Sequence, residues 1–231
     1  MRVAAAELAF VSDQVTRRTG WLDVSVRGLD SPLPWSCAQV VQDQEAGADP
    51  TGSWRSGLRR RMAATYGVEP PPQVVAAFVL LWYLDLLAVP AAYACALGPW
   101  VLDVGPAAVR FDLAEPELYP CAVSLAPRDV LTVADPSRRR QRARARYLEH
   151  ARRFVAGYDA GVKMSSRQRD GAVHDSWAIA ARRAAEACLP PPAPAPRLRT
   201  SCCFIYALPG ARACAECPRR AREVAGRRSG A

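Results

Sequence analysis

The strongest constraint on this chain is a group of four cysteines near its C-terminus. Cys202 and Cys203 are adjacent, ten residues follow, and Cys214 and Cys217 come next with two residues between them. These four thiols are half of the eight cysteines in the 231-residue sequence. Thiols this close together suit a soft-metal site, because thiolates bind zinc and iron–sulfur clusters. The spacing therefore favours one metal centre over two separate disulfides.

Two kinds of metal centre use four thiolates. A zinc site surrounds one ion with two cysteine pairs, and each pair normally has two or more residues between its ligands. Adjacent side chains in an extended strand point to opposite sides, so Cys202 and Cys203 suit a single small tetrahedron poorly. A 2Fe-2S cluster spreads four thiolates over a wider object. The spacing favours the cluster, and zinc stays open as the alternative.

The flanking residues carry a resemblance. The cysteine spacing, the sequence Arg-Thr-Ser-Cys-Cys-Phe-Ile-Tyr, the Pro209-Gly210 pair and the Cys-x-x-Cys-Pro ending resemble the C-terminal motif of the FhuF-like ferric-siderophore reductases. The resemblance covers about residues 197–220. It implies that a 2Fe-2S cluster is the cofactor, and that its metal is held by Cys202, Cys203, Cys214 and Cys217.

The resemblance also implies an enzyme activity, which is one-electron reduction of ferric siderophore iron. Hard oxygen ligands hold Fe(III) far more tightly than Fe(II), so one electron weakens the chelate and releases Fe(II). The sequence contains no phosphate-binding glycine loop and no nucleotide-binding fingerprint. We therefore expect a separate electron donor of the ferredoxin or flavoprotein type. No catalytic acid or base is assigned, because electron transfer to iron needs none.

Two other functions stay open. In one, the cysteines hold zinc in a basic binding module; in the other, the protein binds the siderophore without reducing it. The net charge of +9 comes from 31 basic and 22 acidic residues, and Lys163 is the only lysine. Arginine richness is weak evidence for nucleic-acid binding, and no known nucleic-acid module accompanies it. Nucleic acid is therefore not an expected partner.

The N-terminal segment predicts a cytoplasmic location. Glu7 and Asp13 interrupt its apolar residues, so we expect no secretory signal. The most apolar stretch, 74–102, contains Asp85 and Pro90, which argue against a membrane span. We expect two buried helices there instead, and peripheral membrane association stays open.

The remaining pattern predicts an α+β fold that is mainly helical, with a small antiparallel β segment and the C-terminal cysteine-rich 2Fe-2S segment. We divide the chain into a body (1–188), a proline-rich linker (189–196), and the cysteine segment with a basic tail (197–231). Apolar periodicity predicts helices over 3–18, 54–66, 73–88, 90–97, 138–163 and 171–188. Short strands are expected over 23–27, 100–104, 109–113 and 122–125.

Other residues carry weaker expectations. Residues 28–53 are rich in proline, glycine, serine and aspartate, which predicts mostly loop. The two histidines, His150 and His174, are expected at the surface or as helix caps. Two groups of arginines are either solvated or anion-binding. One group begins the helix at 138–163; the other flanks the cysteines and comprises Arg197, Arg199, Arg212, Arg219 and Arg220.

Overall fold

A long apolar helix, α4 (Pro72–Leu97), lies at the centre of the fold in this computed structural model, which describes residues 5–27, 31–126, 130–188 and 198–220. Pro72 suits the first helical turn, where backbone N–H groups have no partner within the helix. Leu80, Leu84 and Leu87 have no exposed surface. The helix is long and apolar enough to cross a membrane, but 83% of its most apolar window is buried inside the fold. We conclude that α4 is the core helix.

The prediction of two helices in this stretch was wrong, because α4 continues through Pro90. A proline inside a helix removes one backbone hydrogen bond and usually kinks or breaks the helix. Here the residues on both sides of Pro90 are buried, including Leu86, Leu87 and Ala91. Packing of both halves into one core therefore offsets the missing hydrogen bond.

Four other long helices pack around α4. They are α1 (Ala5–Thr19), α3 (Gly52–Tyr66), α5 (Pro136–Gly157) and α6 (Ser166–Cys188), and α6 and α5 make the most extensive contacts with α4. Asp135 caps α5 by accepting a hydrogen bond from the Arg138 backbone N–H at 2.6 Å. All four helices were predicted, although α5 ends earlier and α6 begins earlier than expected.

A small sheet covers the other side of the core. Its strands are β1 (Asp23–Val26), β2 (Trp35–Ser36), β4 (Val109–Leu113) and β5 (Pro120–Leu125), in the order β1-β5-β4-β2. The β4–β5 and β2–β4 pairs are antiparallel, whereas β1 joins β5 in parallel. Two further strands, β3 (Trp100–Val101) and β6 (Leu131–Thr132), pair separately. The mainly helical α+β class is confirmed, with a mixed sheet where an antiparallel one was expected.

The prediction of loop over 28–53 was wrong for its second half. Helix α2 (Cys37–Glu45) lies there, and α3 already begins at Gly52. Ser36 caps α2, and Cys37, Val40, Val41 and Gln44 are buried on one helical face. The helical spacing of these four residues is short, and the prolines and glycines on either side of it favoured the prediction of a loop. Cys37 is a buried thiol.

His150 is buried rather than exposed, contrary to expectation. Its Nδ1 lies 2.6 Å from the Val104 carbonyl oxygen, and its Nε2 lies 2.9 Å from the Tyr83 hydroxyl. Burial lowers the pKa of His150 to about 4, so the ring is neutral at neutral pH. His174 is exposed, as predicted. The predicted linker, 189–196, lies outside the described residues.

Candidate metal centre

The cysteine segment lies directly against the N-terminal half of α6. Gly171 makes this approach close, because a Cβ at that position would lie 3.1 Å from the Ser201 backbone nitrogen and 3.2 Å from Thr200 Cγ2. Both distances are shorter than ordinary van der Waals contact. The absence of a side chain at Gly171 therefore sets how near the residues before Cys202 come to the helix.

Two polar side chains of α6 fix the backbone just before and at Cys202. The Gln168 amide donates to the Cys202 carbonyl at 2.7 Å and accepts from the Cys202 N–H at 2.9 Å. Two turns further, Asp175 Oδ2 accepts hydrogen bonds from Thr200 N, Ser201 N and Ser201 Oγ at 2.7–2.8 Å. Gln168 and Asp175 are seven residues apart and so share a helix face. Sequence reasoning missed both residues.

The structure brings the four predicted cysteines into one group. The sulfurs of Cys203 and Cys214, one from each half of the motif, are 3.8 Å apart. The Cys202 thiol interacts with those of Cys217 and Cys214. Cys203 and Cys217 are buried, and Cys202 and Cys214 are half-buried. The ten-residue gap therefore brings the second cysteine pair back beside the first.

A left-handed residue explains how adjacent cysteines can serve one site. Phe204, directly after the pair, has φ of 58°, which is uncommon for a bulky residue. The turn aims backbone N–H groups at sulfur: Phe204 N–H donates to Cys202 Sγ at 3.4 Å, and Ile205 N–H donates to the Cys203 sulfur. The Glu216 N–H likewise faces the Cys214 sulfur. Such donors stabilise negative charge on thiolates.

Pro209 and Gly210 form a turn, as this pair of residues favours. Gly210 has φ of 72°, and nothing lies near the position that its Cβ would occupy. Just before it, Leu208 is buried and anchors the loop in the core. The Cys217 N–H then donates to the Cys214 carbonyl at 3.1 Å. These contacts return the second cysteine pair to the first.

Cys203 and Cys214 are electrostatically coupled. The hydrogen bond with Cys214 lowers the pKa of Cys203 to about 7, although its burial opposes this. The same contact and burial raise the pKa of Cys214. Burial also raises the pKa of Cys202, while the Phe204 N–H lowers it. The contact therefore favours the thiolate at Cys203 and the thiol at Cys214.

A charged network supports the second half of the motif. Glu216, between Cys214 and Cys217, is buried and forms ion pairs with Arg182 of α6 and with Arg199, the latter at 3.5 Å. The Arg199 N–H also donates to the Glu216 carbonyl at 2.9 Å. Burial raises the pKa of Asp85 on α4 to about 6, and nearby Arg199 opposes the shift. The cysteine segment is therefore tied to α6 and faces α4.

The arrangement fits a two-metal cluster. Two thiolates on one tetrahedral metal, with metal–sulfur bonds of about 2.3 Å, lie about 3.8 Å apart, which matches the Cys203–Cys214 separation. Within the part of the chain that the structure describes, no three histidine, cysteine, aspartate or glutamate side chains surround a single ion position. A 2Fe-2S cluster needs only two protein thiolates on each iron, so its ligands have to approach each other in pairs rather than as a group of three or four around one ion.

Comparison with known proteins bears directly on this segment. Residues 199–219 match the family model of the FhuF 2Fe-2S C-terminal domain. All four cysteines lie inside the match. No curated protein is significantly similar to the chain. The resemblance seen in the sequence is thereby confirmed for residues 199–219, the FhuF-type segment.

The arginines around the FhuF-type segment separate into different environments. Arg199 is mostly buried beside Glu216. Arg219 is exposed, and its guanidinium lies 4.1 Å from the centroid of the Tyr206 ring. Arg212 and Arg220 are exposed, and Arg197 lies outside the described residues. The arginines that flank the cysteines therefore do not form one group. Arg199 supports the structure, whereas Arg212, Arg219 and Arg220 are exposed.

The arginines at the start of α5 border a different concavity, of about 540 Å³. Arg139, Arg140 and Arg144 line it together with Trp177 and Cys95. Arg139 is partly structural, because it donates hydrogen bonds to the carbonyls of Cys95, Val133 and Ala134. The concavity is lined by Trp177, Ala181 and Ala185 of α6, whereas the cysteine segment contacts Gln168, Asp175 and Arg182 of the same helix.

Proposed function

We propose that this protein is a ferric-siderophore reductase in which Cys202, Cys203, Cys214 and Cys217 hold a 2Fe-2S cluster. The observation that carries the proposal is the convergence of these four thiols within a segment that matches the FhuF 2Fe-2S domain. The substrate is a ferric siderophore, and the product is Fe(II) released in the cytoplasm. Reduction of the protein requires a ferredoxin- or flavoprotein-type donor.

A bound 2Fe-2S cluster supplies one electron at a time, at a potential that depends on hydrogen bonds, charge and exposure. The chain's own residues set these properties. Backbone N–H groups of Phe204, Ile205 and Glu216 face sulfurs, which favours the reduced state by stabilising its added negative charge. Gln168 and Asp175 hold the backbone of the first cysteine pair in place. Buried Leu208 and half-buried Phe204 and Ile205 restrict water on one side.

The cofactor is tested first by spectroscopy. Protein purified without oxygen is examined by visible and EPR spectroscopy before and after dithionite, with iron, sulfide and zinc assays on the same sample. We expect roughly two irons and two sulfides per chain and an EPR signal after reduction. Stoichiometric zinc without sulfide, persisting after attempted cluster reconstitution, would support the zinc-stabilised binding module instead.

Ligand identity is tested by single substitutions. Cys214→Ser is expected to remove the visible spectrum, since it deletes one of the two sulfurs in the 3.8 Å pair. The matched control is Cys121→Ser, which changes a half-buried cysteine on β5. A full spectrum in Cys214→Ser would remove Cys214 from the ligand set.

The activity is tested with the reduced, cluster-containing protein and a ferric siderophore in the presence of a ferrous-specific chelator. Stoichiometric formation of the ferrous complex, together with reoxidation of the protein, is the expected result. Tight binding of the siderophore with no reoxidation would favour the non-reducing accessory protein.

A further inference from the structure

A shallow hollow of about 390 Å³ opens beside the cysteine group. Cys202 is the only one of the four proposed ligands that lines it. Cys203 and Cys217 are buried. The hollow therefore gives an approach to the proposed centre from the Cys202 side.

Two arginines from different parts of the chain border this hollow, which we call the arginine hollow. Arg167 comes from the first turn of α6, and Arg219 follows the last cysteine. Both are exposed, and within the described residues neither forms an ion pair. Arg219 lies over the Tyr206 ring and within electrostatic range of Cys202 and Cys217. Two positive charges thus face the same small space.

The remaining lining is apolar and aromatic. Phe204, Tyr206 and Pro218 contribute it, and all three are half-buried. The left-handed turn at Phe204 places this ring directly after the cysteine pair. A surface of this kind accepts planar or hydrocarbon groups, while the flanking guanidinium groups attract negative charge.

We propose that the arginine hollow is the docking site for the iron substrate and that it selects negatively charged ferric chelates over neutral ones. The inference rests on the proposed reductase function and specifies the substrate class of the same site. A ferric ion held by three catecholates carries net negative charge, whereas three hydroxamates leave it neutral. Arg167 and Arg219 bind the anionic chelate while Phe204 and Tyr206 contact its ligand rings. The transferred electron reduces Fe(III) to Fe(II) and comes from the reduced 2Fe-2S centre, with no proton transfer required.

The dimensions favour a small chelate over a protein partner. The volume lies near the lower end of the range for small-molecule sites, about 300–1,000 Å³. A docked electron-donor protein usually covers a broad face, about 800 Å² on each partner in a standard interface. The arginine hollow is a concave spot rather than such a face, so we assign it to the chelate.

Binding is tested separately from reduction. The probe is the Ga(III) complex of a tris-catecholate siderophore, which does not accept an electron, titrated into cluster-containing protein by calorimetry. Arg167→Glu is the main variant, because Arg219 lies within electrostatic range of Cys202 and Cys217. Among the described residues, no contact joins Arg167 to a cysteine sulfur, so this variant tests chelate binding more directly. We expect affinity to fall about tenfold or more at low ionic strength, with a smaller loss at high salt.

The matched control carries the same change of charge elsewhere. Arg138→Glu, at an exposed position on α5, leaves the hollow intact and is expected to bind the Ga(III) complex like the wild type. Equal losses in both variants would show that the overall charge decides binding and would overturn the proposal. Unchanged binding in Arg167→Glu would also overturn it.

Reduction is then measured as reoxidation of the dithionite-reduced protein by excess ferric chelate, with a ferrous-specific chelator present to trap the Fe(II) that is formed. For Arg167→Glu and the Arg167→Glu/Arg219→Glu double variant, we expect at least tenfold slower reoxidation by the anionic tris-catecholate complex. Reoxidation by a neutral tris-hydroxamate complex should change less than twofold. A redox titration of each variant measures the reduction potential of the cluster. It separates a change in potential caused by the loss of Arg219 from a loss of chelate binding. Equal slowing with both chelates, at unchanged potential, would contradict selection by charge.

The experiments distinguish the two proposals. If the wild type binds the Ga(III) complex through Arg167 but its ferric counterpart does not reoxidise the protein, the reductase proposal fails and the docking site stands. If ferric chelates reoxidise all variants equally, the reductase proposal stands and the docking site fails. Slower reduction by a reduced ferredoxin, with unchanged chelate binding and reoxidation, would assign the hollow to the electron donor.

Discussion

The side-chain amide of Gln168 holds the Cys202 backbone from both sides, with its oxygen 2.9 Å from the Cys202 nitrogen and its nitrogen 2.7 Å from the Cys202 carbonyl oxygen. A helix thereby positions a cysteine that lies 34 residues further along the chain. Ser165 Oγ accepts from the Gln168 N–H at 3.2 Å and fixes the start of that helix.

Gln168→Leu is expected to loosen the first cysteine pair. It removes two hydrogen bonds worth about 1 kcal/mol each, so about 2 kcal/mol of local stability is lost. We expect the cluster to be lost about tenfold faster to an iron chelator, followed as the decay of visible absorbance. Gln39→Leu, on the exposed face of α2, is the matched control. Equal decay in the two variants would show that the Gln168 contacts do not hold the site.

Glu216→Gln is expected to destabilise the segment and to raise the reduction potential. The substitution breaks a largely buried ionic network with Arg182 and Arg199, and breaking such pairs typically costs about 3 kcal/mol. Removing a negative charge between two ligands also favours the reduced cluster. Arg199→Gln is expected to shift the potential in the opposite direction. A dye-mediated potential titration measures both, and shifts of the same sign would contradict the electrostatic explanation.

Gly171 provides a graded test of how closely the segment packs on α6. Gly171→Ala gains about 1 kcal/mol of helix propensity, which offsets the 3.1 Å contact with Ser201 N, so it should retain the cluster. Gly171→Leu overpacks the contact at a cost of about 1–3 kcal/mol and should lower the iron content per chain. Ala187→Leu, at an exposed position near the other end of the same helix, controls for added apolar surface. Full iron content in Gly171→Leu would rule out this close contact as a requirement.

His150 predicts a specific pH dependence of stability. Its folded pKa of about 4 lies below the ordinary value of 6.5, so the unfolded chain binds the proton first as the pH falls. Its contribution to stability is therefore fully present above about pH 6.5 and is lost towards pH 4, at about 1.4 kcal/mol per unit. His150→Gln should be less stable than the wild type at pH 7.

The gap in free energy of unfolding between the His150→Gln variant and the wild type should narrow by about 3 kcal/mol as the pH falls from 6.5 to 4. Urea denaturation followed by circular dichroism measures it. The raised pKa of Asp85 acts in the opposite direction over an overlapping pH range, but it is present in both proteins and cancels in the difference. A gap independent of pH would show that His150 does not titrate in this way.

The sequence by itself identified the four cysteines of the candidate site. The spacing of Cys202, Cys203, Cys214 and Cys217 indicated a single soft-metal centre, because these thiols are close enough in sequence for one loop to join them. The turn at Pro209-Gly210 and the cap of α5 at Asp135 also depend on local sequence. Each depends on neighbours a few residues away, which sequence patterns record directly.

The tertiary structure alone decided what surrounds that site. Gln168, Asp175 and Arg167 of α6 lie beside the cysteine segment, and no local pattern pairs residues about 30 positions apart. It also decided that α4 continues through Pro90 and that His150 is buried. In both cases packing against distant elements overrides a local preference. Burial in a shared core offsets the backbone hydrogen bond that Pro90 removes, and it keeps the His150 imidazole neutral.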